Sequence, residues 1–236
     1  MLYYPFYFDP TYVLVLIGVV LSLLASAKVK STFNKYSRVR NSRGMTGAQA
    51  AQQVLYNAGI RDVRIERVSG NLTDHYDPRS KVLRLSDSVY AQTSVAAIGV
   101  AAHECGHAIQ HARGYFPLKF RSALVPVANF GAKIAWPLIL IGLLINSESS
   151  WFIIQIGILA FSLSVLFQIV TLPVEFNASG RAIRILADTG MLYGQEIGAA
   201  KKVLSAAALT YVAGAAAAIL QLLRLVLLTG GRRRND

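Results

Sequence analysis

The 236-residue chain has 54% hydrophobic residues, only 15% charged residues and a formal net charge of +12. Ordinary soluble domains carry about 25% charged residues, so this balance, with a mean hydropathy of +0.43, argues against a soluble protein and for membrane spans. The positive charges stand beside apolar runs, as at the cytoplasmic rim of a membrane protein, which argues against a nucleic-acid partner. The single cysteine, Cys105, excludes an intrachain disulfide.

In chain order, residues 12–27 form the first apolar run. Tyr3, Tyr4, Phe6, Tyr7, Phe8 and Tyr12 before and at its start fit an interfacial aromatic belt. Ala25-Ser26-Ala27 imitates a signal-peptide cleavage site, but no Lys or Arg precedes the run, and Lys28, Lys30, Lys35, Arg38, Arg40 and Arg43 follow it. Residues 1–27 are therefore expected to be a transmembrane anchor, with the N-terminus outside and the chain from 28 in the cytoplasm.

Residues 28–120 are the largest polar part and the expected cytosolic catalytic part. Residues 46–57 read as a helix ended at Gly59. Residues 63–68 alternate like a strand. Residues 71–76 and 81–85 look like two more short strands, joined by the turn Asp77-Pro78-Arg79-Ser80. Ser86 and Asp87 are placed to cap a short helix. A further helix is expected over 94–112, capped by Ser94 and ended by Gly114.

That last helix carries His103-Glu104-Cys105-Gly106-His107, a His-Glu-x-x-His pattern. Residues four apart lie on one helix face, so His103 and His107 can offer two imidazoles to one metal ion. Glu104, one step round, is within reach of a metal-bound water as a general base. This is the set that zinc-assisted peptide hydrolysis needs. Cys105 lies about 200° round the helix from His103 and is expected to pack. His111 continues the spacing, but it lies about 12 Å along the axis from His103, too far to share one ion.

Two apolar runs follow, 122–145 (interrupted by Pro126, Lys133 and Pro137) and 151–172. The polar residues 146–150 between them predict an antiparallel transmembrane hairpin over 121–173, with its tip outside. Lys133 either snorkels or marks a later start of the span. Residues 174–205 then return to the cytoplasmic side as a helical part. Within it, Glu175 starts a new helix after Pro173 and is the candidate third zinc ligand; the alternative is a first-turn Glu favoured by the helix dipole. Ser179, one turn on, is placed to hydrogen-bond a ligand. The last run, 206–228, ends in Arg232-Arg233-Arg234 and contains Gln221 and Arg224. Within the part 206–236 it is either a fourth span that defies the positive-inside rule or a membrane-embedded helix over the active site.

Met45-Thr-Gly-Ala, Leu72-Thr-Asp-His-Tyr-Asp-Pro-Arg79, Lys81-Val-Leu-Arg-Leu-Ser86, Ala101-Ala-His-Glu-Cys-Gly-His-Ala108 and Glu175-Phe-Asn-Ala-Ser179 resemble the YugP-like zinc-dependent membrane proteases of bacteria. The chain is more distantly similar to gluzincins of the HtpX and CAAX-prenyl-protease type. Their third ligand is the Glu of a Glu-x-x-Ala-Asp pattern, which maps here to Glu175 through Ser179, with Ser in place of Asp. The resemblance implies an endopeptidase of the bacterial plasma membrane with a cytosol-facing site, one Zn2+ per chain and Glu175 as third ligand. It also implies that residues 72–76 form an edge strand for substrate. His75 is a candidate to steady an oxyanion, against a plain turn-adjacent role. Arg181 and Arg184 are candidates to stabilise a tetrahedral intermediate, against a role as basic residues at the membrane rim.

The expected architecture is a mainly α integral membrane protein of three or four transmembrane helices with a cytosolic α+β zincin-like domain, its small sheet preceding the His-Glu-x-x-His helix. The expected function is a membrane-bound zinc metalloendopeptidase acting on peptides or proteins, membrane proteins among them, beside the lipid bilayer. The competing reading is a non-catalytic membrane scaffold or quality-control protein with a metal-stabilised fold. A channel or transporter would place several charges deep in its spans, and only Lys133 and Arg224 qualify.

Overall fold

The computed structural model describes residues 9–145 and 149–230. The aromatic residues 3–8, most of the predicted turn at 146–150 and the terminal arginines lie outside the described residues. The elements are α1 (Tyr12–Tyr36), α2 (Gly47–Asn57), β1 (Arg64–Val68), β2 (His75–Asp77), β3 (Val82–Ser86), α3 (Val95–Ala112), α4 (Phe116–Leu144), α5 (Ser149–Asp188) and α6 (Gln195–Gly230). Helices dominate, and α1, α4, α5 and α6 are each long and apolar enough to cross a membrane.

The chain divides into two units. The first comprises the described residues of Met1–Leu24, Ala123–Ile169 and Val212–Asp236; the second comprises Ala25–Ser122 and Val170–Tyr211. In the first, α4 and α5 form an antiparallel pair. A Cβ on Gly142 would lie 2.9 Å from the Ser150 carbonyl oxygen, one on Gly157 would lie 3.0 Å from that of Ala135, and one on Gly131 would lie 2.6 Å from that of Ala160. The contacts rise along one helix as they fall along the other, and only a missing side chain permits such an approach, a device common between membrane helices. Arg224 within α6 is not bare: its guanidinium lies 3.3 Å from Asp9 and 4.0 Å from the centre of the Tyr12 ring. An intramembrane charge needs such partners.

In the second unit, Thr46 caps α2 in a reciprocal capping box with Gln49. The sheet has the order β1-β3-β2, with β3 parallel to β1 and antiparallel to β2. Ser94 accepts a hydrogen bond from the Ala97 amide and starts α3, whose small residues Ala97, Ala101, Ala102, Cys105 and Ala108 are buried. Helix α3 packs against α2, β2 and β3. At Gly106 it meets α5 so closely that a Cβ would lie 2.6 Å from the Ala178 carbonyl oxygen.

Four local expectations change. Helix α1 does not end near residue 27 but continues to Tyr36, because the lysines after the apolar run are good helix formers and no Gly or Pro intervenes. Helix α5 passes through Pro173, so Glu175 is mid-helix and does not start a new one. Proline removes one N–H bond, and packed membrane helices tolerate that loss. Residues 71–76 are not a strand throughout: Leu72 has φ +56°, a left-handed conformation that breaks an extended run, and β2 starts only at His75. Residues 86–87 cap no helix. A tight turn follows β3, because both side chains are used elsewhere: the Asp87 carboxylate accepts from Arg67 and the Gly70 amide, and Ser86 donates to Asp74.

The approach at Gly106 is testable. Gly106→Ala should lower the thermal unfolding midpoint in detergent, since overpacking costs about 1–3 kcal/mol. Gly180→Ala, where a Cβ meets no atom within 4 Å, should not lower it. Equal midpoints for the two variants would refute the contact.

Candidate metal centre

Helix α3 presents His103 and His107 one turn apart, their rings edge to face with centroids 4.8 Å apart and their Nε2 atoms 3.2 Å apart. Helix α5 brings Glu175 to the same point. Its Oε2 lies 3.3 Å from His103 Nε2 and 3.4 Å from His107 Nε2. That oxygen is buried and accepts no hydrogen bond. Two ligands about 2 Å from one tetrahedral zinc stand roughly 3.3 Å apart, which is the spacing of all three pairs. These residues therefore fit a single metal ion, and they are the His/Cys/Asp/Glu group that could hold one among the described residues.

The hydrogen bonds of Gln110 fix the tautomer of His107. Gln110, fully buried, donates its amide N–H groups to the Val174 carbonyl at 2.8 Å and to Asn177 Oδ1 at 3.0 Å. Its Oε1 therefore faces His107 Nδ1 at 3.1 Å, and an amide oxygen only accepts. His107 must carry its proton on Nδ1, leaving the Nε2 lone pair directed at the centre. His103 Nδ1 lies 3.0 Å from Ser179 Oγ, a hydroxyl that accepts from Nδ1–H when Nε2 is the free nitrogen. A ring nitrogen held by a hydrogen-bond partner is the usual support of a histidine ligand. On the far side of Glu175, Arg121 Nη1 lies 3.5 Å from Oε1, so the two carboxylate oxygens face opposite tasks.

Glu104 is buried at 9% exposure and is not among the three converging donors. Cys105 is buried, and its thiol donates to the Ala51 carbonyl. Burial, then the Glu104 charge, push that thiol well above its ordinary range, so it is an inert packing group. The His111 ring pairs with the Tyr76 hydroxyl at 2.9 Å. Ser179 and Glu175 lie beside the histidines. The other candidates do not. His75 is exposed, with Nδ1 2.9 Å from the Thr73 carbonyl oxygen, Arg184 is exposed, and Arg181 donates to Asn177 at 2.7 Å. Among the described residues, no hydrogen bond or ion pair joins these three to His103, His107 or Glu175. Arg181 reaches the centre only through Asn177 and Gln110.

Gln110, Asn177 and Arg121 are among the residues the sequence reading missed. Gln110 carries a signal, since it lies one turn from His107 on a helix otherwise buried and apolar. Asn177 lies between Glu175 and Ser179. Arg121 carries none, because its place beside Glu175 depends on how α4 starts.

In the absence of a metal, the His107 imidazole is held above its ordinary range near 6.5. Burial, the largest influence, pulls it down. The Glu175 carboxylate beside it and the Glu104 charge push it up by more.

The family described as "Putative neutral zinc metallopeptidase" matches residues 11–230. A curated protein of Bacillus subtilis (strain 168), "Putative membrane protease YugP", is 49% identical over 216 residues, covering 91% of this chain and 95% of its own length. No solved structure matches the chain.

Two outcomes follow for zinc. A histidine must be neutral to bind metal, and a raised His107 pKa lets protons compete at higher pH than usual. Zinc affinity, read by competition with a chromogenic chelator, should therefore fall as the pH drops from 8 toward 6; a flat profile over that interval would contradict the arrangement. Ser179→Ala, which frees His103 Nδ1, should weaken zinc binding by about 10–100-fold while the helical circular-dichroism signal stays unchanged.

Proposed function

Because the chain belongs to the neutral zinc metallopeptidase family, we propose that it is a membrane-bound zinc metalloendopeptidase with His103, His107 and Glu175 as metal ligands and Glu104 as catalytic base. The observation that carries this reading is the convergence of two Nε2 atoms and a buried, otherwise unbonded carboxylate oxygen at mutual distances of 3.2–3.4 Å. Three protein ligands leave a fourth position for water, as catalytic zinc sites do, whereas a closed structural site needs four. Zinc held there supplies a Lewis acid and lowers the pKa of its water.

The remaining chemistry falls to side chains. Glu104 follows His103 directly in α3, so its carboxylate takes the proton from the attacking water and later delivers it to the nitrogen of the leaving amine. Gln110 keeps His107 in the tautomer that offers Nε2, and Ser179 orients the His103 ring through Nδ1. Arg121 engages Glu175 Oε1 and so turns Oε2 inward. Among the described residues β2 pairs only with β3, and it packs beside α3. Its other edge is suited to an extended substrate peptide, added as a further strand by backbone hydrogen bonds.

The protein is a membrane protein. The proposed orientation puts the metal centre on the cytoplasmic side, supported by Lys28, Lys30, Lys35, Arg38, Arg40 and Arg43 after the apolar part of α1. Substrates are peptides or unfolded protein segments, including those of other membrane proteins.

Glu104→Gln tests the assignment. The purified variant should keep its zinc and lose casein hydrolysis by on the order of a thousandfold or more. If both forms bind zinc and neither cleaves casein or peptides, the metal-stabilised scaffold is the better description.

A further inference from the structure

The basic residues at the ends of two apolar helices take no part in the metal centre. Within the second unit, a groove of about 780 Å3 lies between the C-terminal part of α1 and the N-terminal part of α6. None of the metal-centre residues lines it. Lys28, Lys35, Lys201 and Lys202 do, all four exposed, and no Asp or Glu does. Among the described residues none of the four forms an ion pair. Four ammonium groups around one concavity, with no acid to offset them, concentrate a positive potential there.

The place of these lysines in their helices narrows the class of anion. Lys28 ends the apolar run of α1, 16 residues after Tyr12, which is roughly 24 Å of helix and close to the ~30 Å hydrocarbon thickness of a bilayer. Lys201 and Lys202 immediately precede the apolar run of α6. One turn further, Ala206 and Leu209 form an apolar end to the same groove. The Thr32 and Ser205 hydroxyls also line it and can donate to phosphate oxygens. The groove therefore offers cations and hydroxyls at one end and hydrocarbon at the other, where a membrane helix passes from polar to apolar. A free phosphate would leave the apolar end exposed to water.

We propose that this groove binds the phosphate headgroup of an anionic phospholipid, with an acyl chain lying against Ala206 and Leu209. Lysines act here as point charges to phosphate, and basic pockets between membrane helices are suited to such headgroups. The site is independent of the protease reading.

The test uses the full-length protein in detergent, with phosphatidylglycerol titrated against phosphatidylcholine and bound lipid counted by native mass spectrometry. The wild type should retain phosphatidylglycerol in preference to phosphatidylcholine. Replacing Lys28, Lys35, Lys201 and Lys202 together by Gln should weaken that retention by more than about tenfold. A charge-matched control with Arg61, Arg64, Arg79 and Arg113 replaced by Gln should retain it. Circular dichroism and the unfolding midpoint verify that each variant folds; if the fourfold variant does not, Lys201→Gln with Lys202→Gln should still weaken retention. Equal losses in both variants would reduce the effect to net charge and overturn the site. Glycerol phosphate displacing the lipid at comparable concentration would overturn the lipid assignment in favour of a soluble phosphate. Binding of a polyglutamate peptide with no preference among lipids would do so in favour of an acidic protein segment.

Discussion

The contact between Gly106 and the Ala178 carbonyl sets the distance between α3 and α5, and the candidate metal centre is a consequence of that distance. Two helices ordinarily pack 8–10 Å apart. A short carboxylate side chain on one helix can meet imidazoles on the other only if the backbones come close near that level. Gly106 lies between His103 and His107 in sequence, and Ala178 lies between Glu175 and Ser179. The same close approach therefore brings Glu175 Oε2 within 3.4 Å of both imidazoles and Ser179 Oγ to 3.0 Å from His103. Gln110, one turn beyond His107, ties the two helices again through the Val174 carbonyl.

This arrangement leaves a buried carboxylate oxygen and two imidazole Nε2 atoms facing one another. Burying charge without compensation is expensive, and a buried carboxylate facing two imidazole nitrogens favours a cation, proton or metal, between them. Arg121 engages Glu175 Oε1 on the other side. Such a cation-favouring centre is consistent with membership of a zinc peptidase family. By contrast, the buried Asn41 in the same unit donates to the Met45 and Thr93 carbonyls.

Small residues serve both units by the same physics. Gly131 and Gly157 let the antiparallel pair α4 and α5 approach to backbone contact, where there is no hydrophobic gain in burying one apolar side chain among lipid tails. Helix α5 takes part in that pairing and, past Pro173, supplies Glu175. A single continuous helix thus carries both an apolar stretch fit for the bilayer and a ligand of the proposed metal centre.

What is periodic or local was legible in the chain: four apolar runs, the helix over 46–57, the capping of α3 by Ser94, the turn at Asp77-Pro78-Arg79-Ser80, and the face shared by His103 and His107. Each depends on residues within a few positions of one another. Glu175 was legible as a candidate, though its expected place at a helix start was not, since a proline in sequence reads as a break and only packing can carry a helix through it. The shortness of β2 was likewise hidden, because it follows from the left-handed Leu72 and from Asp74 being held by Ser86. Tertiary structure alone decided the couplings across long sequence separations: Gln110 with Asn177, Arg121 with Glu175, and the lysines of α1 with those of α6. Side chains so far apart in the chain meet only where helix packing places them, and no spacing rule encodes that meeting.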